Sequence, residues 1–393
     1  MTGAEPAVAA AAPRELRVAV LGAGGTIAPA IVRDLSESEE AAELLLLDLD
    51  RARAEEVARA HGGAKARAQE VDARSEGADG LAAALEGAHV LVNSASYRVN
   101  LDAMRACLDA GCHYLDLGGL YWMTGRQLDL ADDFERAGLL ALLGMGSSPG
   151  KTNVMAARAV SELGGGPPGE IRVAAAGRDP GAASPARAEG DGATGFSVPY
   201  ALETLIDEVT MPPVLVRDGL AEEIDPMRPG GTVSYPEPVG EADTVHTLHS
   251  ELRTFPGSFG CRAASFRLSL EPALLERLRA LTSASREEVE AAGASVRRPS
   301  ASTVSVHLVE ADAGARTVRV AAVTRPMPEW GLGGGIVSTA APVAAAVRLL
   351  ARGRLTARGA LPPERCVAPG DLFPELERRS CTFAVETVER TSA

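Results

Sequence analysis

The sequence predicts an α/β protein in which a doubly wound parallel sheet is followed by a second domain with a mixed α+β sheet. Three observations support this prediction. Short apolar segments alternate with amphipathic ones in the first part of the chain, glycines follow several of the amphipathic segments, and the composition changes after residue 150. The chain of 393 residues is also too long for one ordinary hydrophobic core, so two domains are expected.

The apolar segments of the first part are nearly continuous, as in strands that are buried on both faces of a parallel sheet. The predicted strands cover residues 16–22, 43–50, a short segment ending at 72, 89–95, 113–117 and 139–144. The predicted helices between them cover residues 28–35, 51–61, 81–85, 100–110 and 127–137. Because crossovers between parallel strands are right-handed, this order predicts helices on both faces of the sheet.

After residue 150, apolar strands and amphipathic helices no longer alternate regularly. A segment rich in Gly, Ala and Pro at 178–195 predicts a long loop, which in a folded domain is often functional. Polar and apolar residues alternate over 303–324 on both sides of a glycine-containing turn, which predicts an antiparallel hairpin. The expected organisation is a disordered tail at 1–14, a first domain at 15–150, a second at 151–335, and a C-terminal segment at 336–393 that packs back on the first domain.

Charge and composition exclude several classes of partner. The formal net charge of −14 opposes binding to nucleic acid and to anionic membrane surfaces, because both would repel the chain. We find no apolar segment of the roughly 18 residues that span a bilayer. Five cysteines without CxxC or Cys/His spacing predict reduced thiols and no metal site. We therefore expect a cytoplasmic protein with a small-molecule partner.

A glycine-rich motif, Gly22-Ala23-Gly24-Gly25-Thr26-Ile27, follows the first predicted strand and opens the first helix. Gly22 permits a tight turn, and Gly24 lets the backbone approach a pyrophosphate, which the N terminus of the helix then binds. Ile27 stands where the GxGxxG fingerprint has its third glycine. The motif predicts a dinucleotide-binding Rossmann domain.

Asp48 ends the second predicted strand and is followed by Leu49. A carboxylate at this place accepts hydrogen bonds from both ribose hydroxyls of NAD and repels the 2′-phosphate of NADP. NAD is therefore the predicted cofactor, with NADP as the alternative. The rest of the predicted cofactor site lies at the ends of the third and fourth strands and consists of Asp72, Asn93, Ser94 and Ala95, although Asn93 also fits a turn cap.

Several separated motifs resemble the saccharopine dehydrogenase family. They are GAGGTIA at 22–28, LLLLDLDRARAEEVA at 44–58, VNSASYRVNLDAMRACLDAGCHYLDLGG at 92–119, GMGSSPGKTN at 144–153 and STAAPVAAAVRLLARGRLTARGALPPE at 338–364. The segments at 198–219 and 234–256 resemble its lysine 6-dehydrogenase branch. The resemblance implies a second α/β domain for substrate and dimerisation, hence a homodimer, and NAD(P)-linked chemistry at an amine-bearing carbon.

Three residues are candidates for the chemistry. Amine oxidation needs a neutral nitrogen, a hydride path to nicotinamide C4 and a group that takes up a proton. Asp116 ends the fifth predicted strand at the carboxyl edge of the sheet, where it could accept that proton or cap the next turn. His249 suits proton transfer or the binding of a substrate carboxylate. Tyr97 follows the fourth strand and could close over the nicotinamide.

Four further residues are candidates for binding the substrate. Tyr200 and Glu203 lie three apart on a predicted helix, so both can face one side, where Glu203 could hold a distal amino group. Arg325 follows the predicted hairpin and could clamp a carboxylate. Lys151 could act on the substrate from the loop after the sixth strand. Glu203, Arg325 and Lys151 also fit ordinary solvent-exposed positions.

Three functions remain open on the sequence. The first is an NAD(P)-dependent amino-acid or amine dehydrogenase that oxidises a C–N bond or reduces an imine, with a lysine-like diamino acid as the favoured substrate. The second is a saccharopine- or carboxynorspermidine-type reductase that joins an amine to a keto acid or aldehyde. The third is a dinucleotide-binding sensor without catalysis. One fold hosts many reactions, so the fold does not choose among them.

Overall fold

The residues that the structure describes form two β-sheets, one of seven strands and one of nine. The computed structural model describes residues 15–75, 77, 80–164, 166–180, 202–281, 288 and 300–389. The predicted tail at 1–14 and most of the predicted loop at 178–195 lie outside the described residues. The predicted fold class, a parallel sheet followed by a mixed one, is confirmed.

The first sheet is parallel throughout. Its strands are β1 (Leu16–Leu21), β2 (Ala41–Asp48), β3 (Ala66–Glu70), β4 (Val90–Asn93), β5 (His113–Asp116), β6 (Leu140–Leu142) and β15 (Gly359–Leu361). Their spatial order is β15-β6-β5-β4-β1-β2-β3. The chain thus lays β2 and β3 on one side of β1 and returns to the other side with β4. This switch opens a crevice at the carboxyl ends of β1 and β4, where a dinucleotide binds in such folds.

The helices of the first domain are α1 (Ala28–Ser36), α2 (Arg51–Val57), α3 (Leu81–Ala84), α4 (Asn100–Ala110), α5 (Leu120–Leu128) and α6 (Ala131–Arg136). Alternate residues of β1 pack into two different apolar clusters, Val18 with α1 on one face and Ala19 with α4 on the other. The sheet is therefore covered on both faces, as the near-continuous apolar strands predicted.

The helix predicted at 127–137 is wrong in its bounds. The chain forms two helices there, because α5 begins at Leu120 and ends at Leu128 before α6 starts. Gly118 and Gly119 directly precede α5, and in the sequence such a pair indicates a loop rather than a helix start. The last turn of α5 is held by a tertiary contact of Gln127, which no local pattern contains.

The second sheet is mixed and follows the parallel one in the chain. Its strands are β7 (Glu170–Arg178), β8 (Val214–Arg217), β9 (Leu220–Glu223), β10 (Pro229–Ser234), β11 (Glu241–His246), β12 (Ala263–Leu268), β13 (Val304–Asp312), β14 (Arg316–Thr324) and β16 (Cys381–Glu389). The main order is β10-β11-β12-β7-β13-β14-β16, with β8 beside β12 and β9 beside β8. The predicted hairpin is confirmed as the antiparallel pair β13–β14.

The helices of this part are α7 (Lys151–Leu163), α8 (Leu202–Thr210), α9 (Glu251–Phe259), α10 (Pro272–Leu281), α11 (Gly334–Ala351) and α12 (Pro369–Glu377). The C-terminal segment at 336–393 divides between the two sheets, since β15 pairs with β6 in the first and β16 with β14 in the second. By length and composition α11 could cross a membrane, contrary to our expectation that no segment could. However, 83% of it is buried inside the protein, as in the core helix of a folded domain.

A buried group of ion pairs joins α11 to α1. Arg348 donates to Asp34 at 2.7 Å and to Glu375 at 2.6 Å, and all three side chains are at most 7% exposed. Arg379 also donates to Asp34, at 2.6 Å. Burial alone would raise the pKa of Glu375, but Arg348 and the neighbouring Arg352 lower it below its usual value. The network therefore fixes the C-terminal helix against the first domain through charges that have little access to water.

We predict that Arg348→Ala lowers the free energy of unfolding by about 3 kcal/mol, because it leaves two buried carboxylates with incomplete compensation. The control is Arg354→Ala, which removes an arginine that is 60% exposed from its pair with Asp371. That variant should cost less than about 1 kcal/mol. Urea unfolding of both variants is the measurement. Equal losses would contradict a special contribution of the buried network.

Candidate active site

The turn between β1 and α1 leaves room for a pyrophosphate. Gly22 has a φ of +74°, and a Cβ there would lie 2.6 Å from the backbone of Ala95. A Cβ on Gly24 would lie 2.8 Å from the Cβ of Arg53, and the N–H of Gly25 donates to the carbonyl of Gly22 at 3.0 Å. No side chain caps the N terminus of α1, so its first N–H groups can bind an anion. The turn therefore fits the phosphates of a dinucleotide.

Asp48 is fixed beside this turn by two backbone donors. Its Oδ2 accepts from the N–H of Gly24 at 2.8 Å, and its Oδ1 accepts from the N–H of Asp50 at 2.9 Å. The carboxylate is partly exposed at the carboxyl end of β2. Each oxygen keeps acceptor capacity for a further donor. This is the position from which a carboxylate binds the ribose hydroxyls of the cofactor.

The other predicted residues around the turn differ in their surroundings. Ile27 is buried at 7% exposure and belongs to the apolar cluster under α1, while Thr26 is exposed. Leu49 is 68% exposed, directly after β2. Asp72 is exposed just beyond β3, and its Oδ1 accepts from the N–H of Arg74 at 2.9 Å. Ile27 thus replaces the third glycine by filling the core rather than by approaching the cofactor.

The carboxyl end of β4 forms the opposite wall of the turn. Ser94 donates to the carbonyl of Leu21 at 2.8 Å, and the backbone of Ala95 packs against Gly22. Asn93 is 1% exposed and accepts from the N–H of Ala95 at 3.1 Å. Of the two interpretations of Asn93, the structure therefore favours the turn cap over a contact with the nicotinamide ribose.

Asp116 is not positioned as a free proton acceptor, which corrects the prediction from the sequence. It is 1% exposed, and five donors occupy its two oxygens. Oδ2 accepts from Gln127 at 2.6 Å, Tyr114 at 2.9 Å and Asn100 at 3.2 Å. Oδ1 accepts from the backbone N–H of Gly144 at 2.6 Å and of Gly118 at 3.0 Å. The carboxylate therefore holds neighbouring loops in place at the crevice.

Burial raises the pKa of the Asp116 carboxyl, and the hydrogen bonds from Gln127, Gly144, Tyr114 and Gly118 oppose that rise. These donors favour the ionised carboxylate, because a protonated oxygen would face N–H and O–H groups. The network continues through Tyr114 to Asn93, whose Nδ2 donates to the tyrosine hydroxyl at 3.2 Å.

We predict that Asp116→Asn lowers the free energy of unfolding by about 2 kcal/mol, since the new NH₂ group would face buried donors. The pH dependence of turnover should keep its shape, because a positioning residue does not exchange the proton with the substrate. Chemical unfolding and a pH–rate profile of the same preparation measure both. If the variant is as stable as the wild type but its pH–rate profile loses one limb, Asp116 is the proton acceptor after all.

Tyr97 connects the cofactor crevice to the second domain. Its hydroxyl donates to Asp207 on α8 at 2.8 Å, and Arg98 donates to the same carboxylate oxygen at 2.6 Å. The next residue of α8, Glu208, is 5% exposed and lies on the side of His249. Tyr97 thus follows the carboxyl end of β4 and fixes the helix that carries one wall of the second polar site.

That second site is centred on His249, which is 4% exposed and stacks on Phe266 at 3.4 Å between ring centroids. Its Nδ1 lies 3.4 Å from Oε2 of Glu251, and its Nε2 lies 3.8 Å from Oε2 of Glu208. Thr152, at the start of α7, donates to the other oxygen of Glu251 at 2.8 Å. Because α7 follows β6, this contact places Glu251 next to the carboxyl edge of the parallel sheet.

Several polar atoms of this His249 cluster are buried without a hydrogen-bond partner in the protein. They are Oγ1 of Thr247, both ring nitrogens of His249, Oγ of Ser250 and Oε2 of Glu251. Buried polar groups in folded proteins are satisfied by protein, water or ligand. The concentration of such atoms in residues 247–251 makes this cluster a candidate binding site for a polar ligand.

The charges around His249 favour its protonated form. Burial alone would lower the pKa of the imidazole, but the carboxylates of Glu208 and Glu251 reverse this effect and raise it above its usual value. His249 accordingly takes up a proton more readily than a histidine in water. Glu208 and Glu251 were not among the residues predicted from the sequence. Only the proximity of Glu251 to His249 in the chain pointed to it.

The predicted substrate residues are not all brought to this site. Lys151 is 1% exposed rather than directed to solvent, and its Nζ donates to Ser338 at 2.6 Å. Arg325 is exposed and donates to Thr382 at 3.4 Å, on strand β16. Tyr200 lies outside the described residues, and Glu203 lies on α8 with a side chain that is not described. The structure therefore gives no support to Arg325, and a role of Lys151 in binding the substrate stays a prediction.

The fold and the crevice define a class of protein, one that binds a nicotinamide dinucleotide at the edge of a parallel sheet. Residues 18–142 match the family model of the saccharopine dehydrogenase NADP-binding domain. Over these residues the chain is similar to that domain, which agrees with the resemblance found in the sequence. Its lysine 6-dehydrogenase branch stays a prediction.

One solved structure shares this architecture, and two others are similar over less of their geometry. Apo saccharopine dehydrogenase (L-Glu forming) from Saccharomyces cerevisiae is 13% identical, with a TM-score of 0.68 over 95% of this chain and 100% of that chain. At this identity the likeness shows the fold alone. UDP-N-acetylglucosamine 3-dehydrogenase GnnA from Acidithiobacillus ferrooxidans is 14% identical over 93% and 97% of the two chains, with a TM-score of 0.40. GenD2 from gentamicin A biosynthesis, in complex with NAD, is 14% identical over 99% and 100%, with a TM-score of 0.42. No curated protein matches the chain.

Proposed function

We propose that the protein is an NAD(P)-dependent dehydrogenase that oxidises the C–N bond of an amino acid or amine, or reduces the corresponding imine. The observation that carries the proposal is the His249 cluster, in which two buried carboxylates flank an imidazole. Carboxylates attract a substrate ammonium, and the imidazole is a group that can take its proton. The family match adds weight to a reaction at nitrogen.

In this reaction the residues would have separate roles in binding and in proton transfer. The glycine turn at Gly22 and Gly24 would hold the pyrophosphate, and Asp48 would hold the ribose. When bound, the dinucleotide supplies the hydride acceptor. Glu251 would hold the substrate ammonium, and His249 would accept one of its protons, which leaves the nitrogen lone pair free to assist loss of hydride from the adjacent carbon. The resulting iminium carbon is then attacked by water, which releases the amine nitrogen and leaves a carbonyl.

The link between the two sites supports this arrangement. Thr152 ties Glu251 to the chain that leaves β6, and Tyr97 ties α8 to the chain that leaves β4. Both strands end at the carboxyl edge of the parallel sheet, where the nicotinamide lies in dinucleotide-binding folds. The same contacts would keep the reacting carbon near the hydride acceptor, as catalysis by positioning requires.

NAD is our proposed cofactor, on the basis of the fixed carboxylate of Asp48. We predict that Asp48→Ala lowers kcat/KM with NAD by about tenfold and raises the relative activity with NADP by at least as much, because the repulsion of the 2′-phosphate is removed. Initial rates with both cofactors measure the ratio. An unchanged ratio, or a wild-type preference for NADP, would contradict this assignment.

The first experiment is to follow absorbance at 340 nm with NAD or NADP against a panel of amino acids and diamines. Reduction of the cofactor with lysine or a close relative would support the proposed dehydrogenase. Consumption of NAD(P)H only when an amine is mixed with a keto acid or aldehyde would favour the reductase. Tight cofactor binding without turnover in either direction would favour the non-catalytic sensor.

We predict that His249→Gln lowers kcat by about 100-fold, the usual contribution of a general base. In the oxidative direction the imidazole must be neutral, and its pKa lies above its usual value. The wild-type pH profile should therefore fall on the acidic side with a midpoint above that usual value. Glu251→Gln should move this midpoint to lower pH, because one of the carboxylates that favour the imidazolium is lost. A midpoint unaffected by both variants would rule out His249 as the base.

A further inference from the structure

Lys151 is a buried amine with no carboxylate partner among the described residues, and burial lowers its pKa below the usual value. Its side chain is 1% exposed, and Nζ donates to Oγ of Ser338 at 2.6 Å and to Oγ1 of Thr324 at 3.2 Å. Within the parts of the chain that the structure describes, no carboxylate oxygen forms an ion pair with Nζ at 4.0 Å or less. An ammonium has three donors, and the two hydroxyls use only two of them. An isolated buried charge costs several kcal/mol, so the arrangement requires a reason.

His307 lies next to this lysine and also lacks a partner for one ring atom. It is 3% exposed, and its Nδ1 has no hydrogen-bond partner. In the β13–β14 pair, His307 is opposite Ala322, two residues before Thr324, so His307 and Thr324 lie on the same face. Burial lowers the pKa of His307, and the charges of Lys151 and His249 lower it further. His307 is therefore a neutral group near both charged residues.

These residues form a polar row in the layer between the second sheet and helices α7, α9 and α11. Lys151 with its two hydroxyl partners is at one end, the neutral His307 is near enough to both Lys151 and His249 to feel their charges, and the His249 cluster with Glu251 and Glu208 is the anionic end. The row is thus positive at one end and negative at the other. A ligand that complements it carries a negative group and a positive group.

We propose that Lys151, together with Ser338 and Thr324, binds the carboxylate of the substrate whose amine is held at the His249 cluster. The inference rests on the proposed function and narrows it, because the substrate is then an amino acid rather than a simple amine or diamine. A carboxylate carries one negative charge and therefore balances the single ammonium. A phosphate carries closer to two charges and has more acceptor oxygens than this pair of hydroxyls and one ammonium can satisfy.

Cys381 is the rival partner for Lys151. It is opposite Thr324 in the β14–β16 pair, and a negative charge on its sulfur would favour the ammonium. If the thiolate were the counter-ion, no ligand carboxylate would be needed. Cys381→Ser therefore serves as the matched control, since it removes that possible charge and leaves Lys151, Ser338 and Thr324 unchanged.

The test uses two half-ligands on the protein with bound NADH, followed by isothermal titration calorimetry. Pentanoate carries only the carboxylate and pentylamine only the ammonium. Lys151→Met should weaken pentanoate binding by about 30-fold, the effect of losing a charged hydrogen-bonded pair, and should leave pentylamine binding within about threefold. Glu251→Gln should weaken pentylamine binding by about 30-fold and leave pentanoate binding within about threefold. Cys381→Ser should bind pentanoate as the wild type does.

Pentanoate binding of equal strength in Lys151→Met and wild type would overturn the proposal, as would wild-type protein that does not bind pentanoate. Loss of pentanoate binding in Cys381→Ser would overturn it too. If Lys151→Met does not fold, Ser338→Ala replaces it, with an expected loss of about fivefold in pentanoate affinity for one hydroxyl hydrogen bond. Unchanged affinity in Ser338→Ala would then count against the subsite.

Turnover assays distinguish a failure of this inference from a failure of the proposed function on which it rests. L-lysine and 1,5-diaminopentane differ only in the carboxylate. Equal kcat/KM for the two, with turnover of both, would overturn the subsite and keep the dehydrogenase. Specific pentanoate binding without turnover of any amine or amino acid would overturn the proposed dehydrogenase and keep the subsite.

Discussion

The carboxylate of Asp116 is the constraint on which the cofactor crevice depends. It gathers five donors from the end of β5, the start of the chain after β6, and helices α4 and α5. A buried carboxylate is stable only if its lone pairs are satisfied, so each of these segments must reach the same point in space. The edge of the sheet, where the dinucleotide binds, is therefore rigid before any ligand arrives. Preorganisation of this kind reduces the free-energy cost of binding.

The polar layer between the sheets follows from that rigid edge. Thr152 and Tyr97 extend from the ends of β6 and β4 to Glu251 and Asp207 of the second domain. The second domain is thereby positioned by hydrogen bonds that start at the crevice itself. Far from the crevice, the buried ion pair between Arg348 and Asp34 joins α11 to α1. The two domains are held at both ends, which leaves the site between them with a defined geometry.

The charges in this layer are separated rather than paired. Among the described residues Lys151 has hydroxyl partners only, whereas His249 has two carboxylates close by. In the proposed function this separation would leave both groups available to a ligand. Functional sites commonly retain unfavourable arrangements of this kind.

The sequence by itself determined the order of strands β1 to β6, the glycine turn, and the position of Asp48. These features depend on local periodicity and on backbone conformations that only glycine adopts easily, so they can be read from neighbouring residues. It did not determine the bounds of α5 and α6, since a contact between Gln127 and Asp116 holds the end of α5.

The tertiary structure alone decided which polar residues meet. Asp116 and His249 look alike in the sequence, as single titratable residues near strand ends, yet one is surrounded by donors and the other by acceptors. Lys151 is 173 residues from Thr324 and 187 residues from Ser338 in the chain, and it meets them only because α7, α11 and β14 pack together. Burial and the choice of partners set the chemistry of a titratable group, and both are properties of the folded chain rather than of any segment of it.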